Sequence, residues 1–245
     1  VFHDDQHGTA IVALAALKNA LRVVDKRLPD VKIVVAGGGA AGTAIVNLLL
    51  KAGAGQVLVW DREGILSPDD DRLAGAKLEL ARRTNPGGLR GELPDALDGA
   101  DVFIGVSAGN ILAVEDLARM APRAVVFPMA NPTPEVDPVR ARQYAAVVAS
   151  GRSDMPNQIN NVLAFPGVFR GLLDARATEI TDGMLLAAAE ALAAVVKDDQ
   201  LNANYIIPSV FDPEVTHAVA AAVADQARHE PGATARVRDE EGGTA

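Results

Sequence analysis

The hydrophobic pattern of the first 150 residues alternates between helical stripes and short buried runs. A helix is predicted over residues 8–28, where Ile11, Leu14, Leu17 and Leu21 recur at helical spacing. Strands are predicted over residues 31–36, 56–60, 101–106, 123–127 and 145–149, and helices over 40–52, 69–83 and 114–120. Apolar strands that alternate with helices predict an α/β fold, a Rossmann-type doubly wound parallel sheet covered on both faces.

The pattern changes after residue 150, where strand-like runs almost disappear. Helices are predicted over residues 168–173, 182–196 and 213–228, and a disordered tail over the polar, Gly-rich residues 230–245. We therefore expect one domain over residues 1–229. It would consist of a leading segment and helix (1–29), a Rossmann core (30–150), and a loop with extra C-terminal helices (151–229).

Composition excludes several classes of function. A net charge of −9 with 4% aromatic residues argues against nucleic acid, which requires a clustered basic surface. The lack of cysteine excludes disulfide scaffolds, thiolate zinc sites and cysteine nucleophiles, and fits a reducing compartment. The longest uncharged run, residues 33–50, contains four glycines and favours a strand, turn and helix over a membrane span. With no signal-peptide pattern, a cytoplasmic protein is predicted.

A dinucleotide-binding turn is predicted directly after the first strand, in the place where a helix begins. The residues that match G-x-G-x-x-G are Gly37, Gly38, Gly39, Ala40, Ala41 and Gly42. Such glycines permit a tight turn, a close approach of pyrophosphate and close helix packing. Asp61, about 20 residues further on, is expected to bind a ribose and favours NAD, while Arg62 leaves NADP open. A glycine-rich turn without a ligand is the alternative.

Two carboxylates and two histidines stand within five positions near the start: His3, Asp4, Asp5 and His7. Carboxylate oxygens are the ligands that hard divalent cations prefer. The same acids would also serve as N-caps of the helix that follows. A zinc pair of His3 and His7 lacks a third ligand at a suitable spacing. The residues alone leave metal binding and capping open.

The segment FHDDQHGTA, residues 2–10, resembles the metal-site segment of malic enzymes. Further segments agree with that family in order and spacing, up to about residue 229. They are the turn at 37–42, DREG (61–64), IGVS (104–107), ANPTPE (130–135), GRSDMPNQINNVLAFPG (151–167) and YIIPSVFDP (205–213). The resemblance implies the NAD-binding domain of a bacterial-type malic enzyme.

The resemblance also implies roles for single residues. Asp5 would be a ligand of Mg²⁺ or Mn²⁺, and Asp4 would lie beside it near the catalytic lysine of the family. Val106 and Ser107, after a predicted strand, would lie over the cofactor, although an ordinary strand-to-helix turn explains them equally well.

Three asparagines complete the predicted site. By the resemblance Asn131 would contact both the nicotinamide ribose and the substrate, where the residues alone indicate an Asn-Pro turn. Asn160 and Asn161 would help to hold the dicarboxylate, and their alternative is capping of a loop. The pattern does not separate the two.

The implied reaction is the oxidative decarboxylation of L-malate to pyruvate and CO₂. In the family a lysine base, a tyrosine acid, an arginine and two more acidic ligands come from an N-terminal domain, which has no counterpart in this chain. We therefore expect a domain of a longer homo-oligomeric enzyme that is inactive by itself. A related dehydrogenase, a malolactic enzyme and a non-catalytic NAD-sensing module are the alternatives.

Overall fold

A single six-stranded sheet organises the fold. The computed structural model describes residues 3–234. The strands are β1 Lys32–Ala36, β2 Gln56–Asp61, β3 Gly64–Ile65, β4 Val102–Gly105, β5 Ala124–Pro128 and β6 Ala145–Val148. They lie in the order β3-β2-β1-β4-β5-β6, and every neighbouring pair is parallel except β2 with β3. The predicted Rossmann-type α/β fold is confirmed, with an antiparallel edge that the pattern did not predict.

Helices cover both faces of this sheet. They are α1 Thr9–Val23, α2 Ala40–Lys51, α3 Gly75–Thr84, α4 Leu93–Leu97, α5 Pro138–Ala141, α6 Phe165–Asp174, α7 Asp182–Val195 and α8 Pro213–His229. A π-helical turn, Asp4–Gly8, precedes α1, and 3₁₀ turns lie at Leu28–Asp30, Val114–Arg119 and Asn161–Leu163. Within residues 3–234, no helix is both long and apolar enough to cross a membrane.

The strands read as continuous apolar runs because both of their faces are buried. In β1, Ile33 and Val35 join one core, while Val34 and Ala36 join the other. The first core also contains α1, α2 and the C-terminal helices α6 to α8. The C-terminal helices therefore extend the core of the nucleotide-binding fold on one side of the sheet.

Helix α1 ends earlier than the predicted residue 28, at Val23. The next turn is left-handed at Asp25, with φ 52°, and the Lys26 N–H donates to the Leu21 carbonyl at 2.9 Å. This six-to-one bond closes the helix in the manner of a Schellman motif. Because the apolar stripe continues past the end of the helix, its periodicity predicted a helix that is too long.

Other predicted boundaries also change. Residues 69–74 form turns, since the Asp70 carboxylate accepts the Arg72 N–H at 3.0 Å, so α3 begins at Gly75. The helix predicted over 114–120 is a 3₁₀ turn. Strand β3 and the short helices α4 and α5 were not predicted, because none is long enough to show a period.

The predicted disordered tail begins inside an ordered segment. Ala233 is buried, with 1% of its surface exposed, and Thr234 forms an antiparallel bridge with Ala177. The prediction is therefore wrong for residues 230–234, because this short apolar contact closes the end of α8 against the loop after α6. Residues 235–245 of the predicted tail lie outside the described residues.

Candidate functional site

The strand order reverses between β1 and β4, which creates a crevice at the carboxyl edge of the sheet. The loops after these two strands touch. The Val106 N–H donates to the Ala36 carbonyl at 2.9 Å, and a Cβ on Gly37 would lie 2.7 Å from the Val106 carbonyl oxygen. Gly37 also has φ +123°, a conformation that favours glycine. Ligands of doubly wound sheets bind at such a reversal.

The three glycines of the motif meet different surroundings. A Cβ on Gly42 would lie 1.8 Å from the Gly37 carbonyl oxygen, so only glycine lets α2 approach the turn this closely. A Cβ on Gly39 would have no atom within 4 Å, because Gly39 and Ala40 face open space. No side chain caps the N-terminus of α2. Its first N–H groups are therefore available to an anion.

Asp61 lies at the end of β2, beside the glycine turn. A Cβ on Gly38 would lie 3.0 Å from its Oδ2 atom. Its carboxylate accepts the Arg62 N–H at 2.8 Å and pairs with the Lys77 ammonium at 2.6 Å. Burial by itself raises the pKa of Asp61, but the contacts with Lys77 and Arg62 outweigh it and leave that pKa lowered. Asp61 is thus an ionised carboxylate in an ion pair with Lys77.

A second buried carboxylate, Glu135, lies on the other side of the crevice. Its Oε1 atom accepts the Ser107 N–H at 2.8 Å, and its Oε2 atom accepts the Ala130 N–H at 3.1 Å. None of its surface is exposed. Burial raises the pKa of Glu135, and the backbone hydrogen bonds only partly offset that rise. Glu135 therefore joins the loops after β4 and β5 from the inside.

The remaining predicted cofactor residues lie around these loops. Val106 and Ser107 are half-buried, and Asn131 is exposed near the start of the loop after β5. A Cβ on Gly151 would lie 3.2 Å from the Asn131 amide nitrogen. The loop that follows β6 thus packs beside Asn131, at the same edge of the sheet.

The acidic segment forms the π-helical turn, and neither aspartate caps a helix. The hydrogen-bonding part of the capping interpretation is therefore wrong, whereas both aspartates do lie in the first turn, where carboxylates complement the helix dipole. The Asp4 Oδ2 atom accepts a hydrogen bond from the Asn161 amide at 3.0 Å, whereas its buried Oδ1 atom has no hydrogen-bond partner among residues 3–234. Asp5 is exposed. The turn thus brings Asp4, predicted to lie beside the metal ligand Asp5, into contact with Asn161, a predicted substrate residue distant in the sequence.

A complete metal centre is not assembled by these residues. Within residues 3–234, no group of three or more His, Cys, Asp or Glu side chains is arranged to hold a metal ion. In particular, the His7 ring accepts the His3 N–H at 2.9 Å, which is a local backbone contact. The carboxylates of Asp4 and Asp5, one with a buried unsatisfied oxygen, fit part of a site for a hard cation.

The two neighbouring asparagines play different structural roles. The Asn160 Oδ1 atom accepts the Val162 N–H at 3.1 Å and so caps the 3₁₀ turn. The Asn161 amide instead donates a hydrogen bond to Asp4 of the acidic segment.

A cavity of about 430 Å³ connects the acidic segment with the glycine turn. Its walls include Gln6 and His7 on one side and Gly38 and Gly39 on the other. Asp61, Ser107 and Asn131 do not line this cavity.

Comparison with known proteins decides the family. A family profile described as "Malic enzyme, NAD binding domain" matches residues 6–228. The chain belongs to the malic enzyme family, as its NAD-binding domain. The malic enzyme resemblance of the sequence is thereby confirmed.

Individual malic enzymes match the chain closely. It is 56% identical, over 93% of its length, to the NAD-dependent malic enzyme of Geobacillus stearothermophilus, and covers 48% of that protein. It is 49% identical, again over 93%, to the bifunctional malic/malolactic enzyme of Bacillus subtilis, and covers 56% of it. The crystal structure of the NAD-dependent malic enzyme of Thermotoga maritima superposes with a TM-score of 0.86 at 49% identity. That match covers 91% of this chain and 59% of the other.

The chain thus spans about half the length of these relatives. Other relatives are NADP-dependent malic enzymes, so the family by itself does not choose the cofactor.

The sequence pattern assigned no role to two charged residues at this edge of the sheet, Lys77 and Glu135. Lys77 lies on α3, and no local spacing links it to Asp61. Glu135 closes the ANPTPE segment, but nothing in the pattern indicates that its carboxylate is buried. Both contacts are decided by how the loops fold over the sheet edge.

Proposed function

We propose that this chain binds the cofactor in an enzyme that oxidatively decarboxylates L-malate to pyruvate and CO₂. The observation that carries the proposal is the hydrogen bond between Asp4 and Asn161. It joins the predicted metal and substrate segments beside a cavity that reaches Gly38 and Gly39. A nucleotide-binding fold without further chemistry would not need that junction.

The dinucleotide would lie across the crevice, with one half on each side of the strand-order reversal. The uncapped N–H groups at Gly39, Ala40 and Ala41 would bind the pyrophosphate. Asp61 would accept hydrogen bonds from the adenosine ribose. Val106, Ser107 and Asn131 would lie against the nicotinamide half. When bound, the nicotinamide supplies the acceptor for the hydride that leaves C2 of malate.

Asp5 would ligate Mg²⁺ or Mn²⁺, since its exposed carboxylate is available to a hard cation. When bound, such a cation stabilises the negative charge that grows on the C2 oxygen of the substrate. Asp4 orients the site through its bond to Asn161. Its second oxygen, buried without a partner, is suited to a donor from outside the described residues.

The substrate carboxylates would be bound by amide groups. An amide donates two N–H bonds, which suits a carboxylate acceptor. Asn131 and Asn161 have this chemistry at the edge of the sheet, whereas the Asn160 carbonyl oxygen already caps the 3₁₀ turn. Asn160 could therefore contribute its NH₂ group, but not its carbonyl oxygen, to binding of the dicarboxylate.

We further propose that NAD is preferred over NADP. The ionised carboxylate of Asp61 repels a 2′-phosphate, while the attached Lys77 reduces that repulsion. Calorimetric titration of the chain with each dinucleotide tests the preference. Tighter binding of NAD is expected, and equal affinity would contradict it.

A chimeric enzyme tests the activity. This chain would replace the matching region of the Geobacillus stearothermophilus relative, and malate, pyruvate, lactate and NADH would be measured with Mn²⁺ present. We expect equal amounts of NADH and pyruvate, and loss of both in a matched chimera with Asp5→Asn. Lactate without NADH would favour the malolactic alternative. A chimera that folds and binds NAD without turnover would favour a sensing module.

A further inference from the structure

We infer that Glu135 is a positioning residue for the nicotinamide half of the cofactor site, an inference that rests on the proposed function. Its two carboxylate oxygens hold the N–H groups of Ser107 and Ala130 at 2.8 and 3.1 Å. These donors lie one residue from Val106 and Asn131, which the proposal places against the cofactor. Glu135 itself is fully buried, so it acts through the loops and not on the ligand.

A carboxylate suits this position because both of its oxygens only accept hydrogen bonds. A glutamine would accept one N–H and turn its own NH₂ group towards the other. Burying a carboxylate is costly, and the groups that stabilise Glu135 are backbone amides. If only packing were required, an apolar side chain would fill the same space at lower cost.

The contacts around Glu135 form a continuous connection across the crevice. The Leu112 N–H donates to the Glu135 carbonyl at 3.1 Å, and the Asn110 N–H donates to the Pro134 carbonyl at 2.9 Å. The backbone of Glu135 is therefore anchored to the loop after β4. Since that loop also touches Gly37 through Val106, the carboxylate sets the spacing between the glycine turn and Asn131.

The adjacent glycine supports this assignment. A Cβ on Gly105, the last residue of β4, would lie 2.3 Å from the carboxylate carbon of Glu135. The end of β4 thus leaves room for the side chain to pass beneath the loops. Gly105→Ala would displace the carboxylate without removing its charge.

Titration of Glu135→Gln with NAD and with ADP tests the inference. ADP probes the glycine turn and Asp61, whereas NAD adds the nicotinamide half. We expect NAD to bind about tenfold more weakly, as for the loss of one strong hydrogen bond, and ADP affinity to remain within about twofold. Energy transfer from Trp60, the single tryptophan, to bound NADH provides a second readout.

The matched control is Asn19→Ala. Asn19 is also buried, and it donates to the Ala193 and Ile206 carbonyls at 2.9 Å, away from the crevice. We expect this variant to melt at a lower temperature with both affinities unchanged.

Equal weakening of NAD and ADP, or no weakening, in Glu135→Gln would overturn the inference and leave the proposed function standing. If that variant does not fold, Gly105→Ala must show the same selective loss of NAD affinity, and its absence would overturn the inference. A folded wild-type chain that binds neither ligand would overturn the proposed function as well.

Discussion

Asp61 and Glu135 are two buried carboxylates at the same edge of the sheet, one on each side of the strand-order reversal. Asp61 retains 9% of its surface and pairs with the Lys77 ammonium, whereas Glu135 is fully buried and bonded to backbone amides. The pKa of Asp61 is lowered, because Lys77 and Arg62 outweigh its burial. The pKa of Glu135 is raised, because burial outweighs its hydrogen bonds.

The difference shows that the partners of a carboxylate, which depend on its place in the fold, decide what role it can have. A carboxylate paired with a long, half-exposed lysine can exchange that partner for a ligand hydroxyl. A carboxylate whose partners are backbone N–H groups cannot exchange them without moving the loops. The first therefore suits recognition and the second suits positioning.

The largest effect is expected at the glycine turn, which lies at the strand-order reversal between the two carboxylates. Gly42→Ala would place a Cβ 1.8 Å from the Gly37 carbonyl oxygen, so α2 must move. We expect the free energy of unfolding to fall by about 2 kcal/mol and dinucleotide binding to be lost. Urea unfolding and calorimetry measure both.

Gly39→Ala is the matched control for that change, since its Cβ would meet no atom within 4 Å. We expect unchanged stability and about tenfold weaker binding, because the methyl group would block the approach of the pyrophosphate. Unchanged binding in this variant would contradict the placement of the phosphates.

A smaller effect is expected when the cation beside Asp61 is removed. Lys77→Met leaves the Asp61 charge unpaired, so NADP should lose more affinity than NAD. We expect the ratio of the two affinities to shift by about tenfold towards NAD, as measured by calorimetry. Arg82→Gln, which removes an exposed cation paired with Glu79 on the same helix, should leave the ratio unchanged. A similar shift in both variants would indicate a long-range charge effect instead.

The smallest effect is a pH dependence of opposite sign at the two carboxylates. The stability that wild type gains over Asp61→Asn should be present above pH 3.8, the ordinary pKa, and be lost as pH falls through the lowered pKa. The stability that wild type gains over Glu135→Gln should instead be fully present below pH 4.5, the ordinary pKa, and be lost as pH rises through the raised pKa.

The advantage of wild type over Glu135→Gln should therefore grow as pH falls from 7 towards 4.5, which urea unfolding at a series of pH values measures. The same sign for both carboxylates would contradict the opposite pKa shifts of Asp61 and Glu135.

Much of the fold could be predicted because its signals are local. Strand β1 and helix α2 follow the predicted boundaries within one residue, since an apolar run and a glycine turn are both read from neighbouring positions. The end of α1 could not be predicted in the same way. Its left-handed turn at Asp25 interrupts an apolar stripe that continues beyond it.

The candidate site divides in the same way. The glycine turn and Asp61 were predicted from spacing, and the structure brings them to the strand-order reversal. The sequence left the role of Asp4 open between a helix cap and a functional site, and in the structure its Oδ2 atom accepts a hydrogen bond from the Asn161 amide. That contact joins positions 157 residues apart, a distance at which no periodicity operates.

The alternation of strands and helices, the glycine turn and the family follow from the amino-acid sequence. These depend on side-chain volume, polarity and backbone freedom over a few neighbouring positions. The pairing of Lys77 with Asp61 and the burial of Glu135 between two loops arise from the folded chain and not from any local pattern. The charge state and the partners of a carboxylate depend on the dielectric and the donors around it, and the packing of distant segments supplies both.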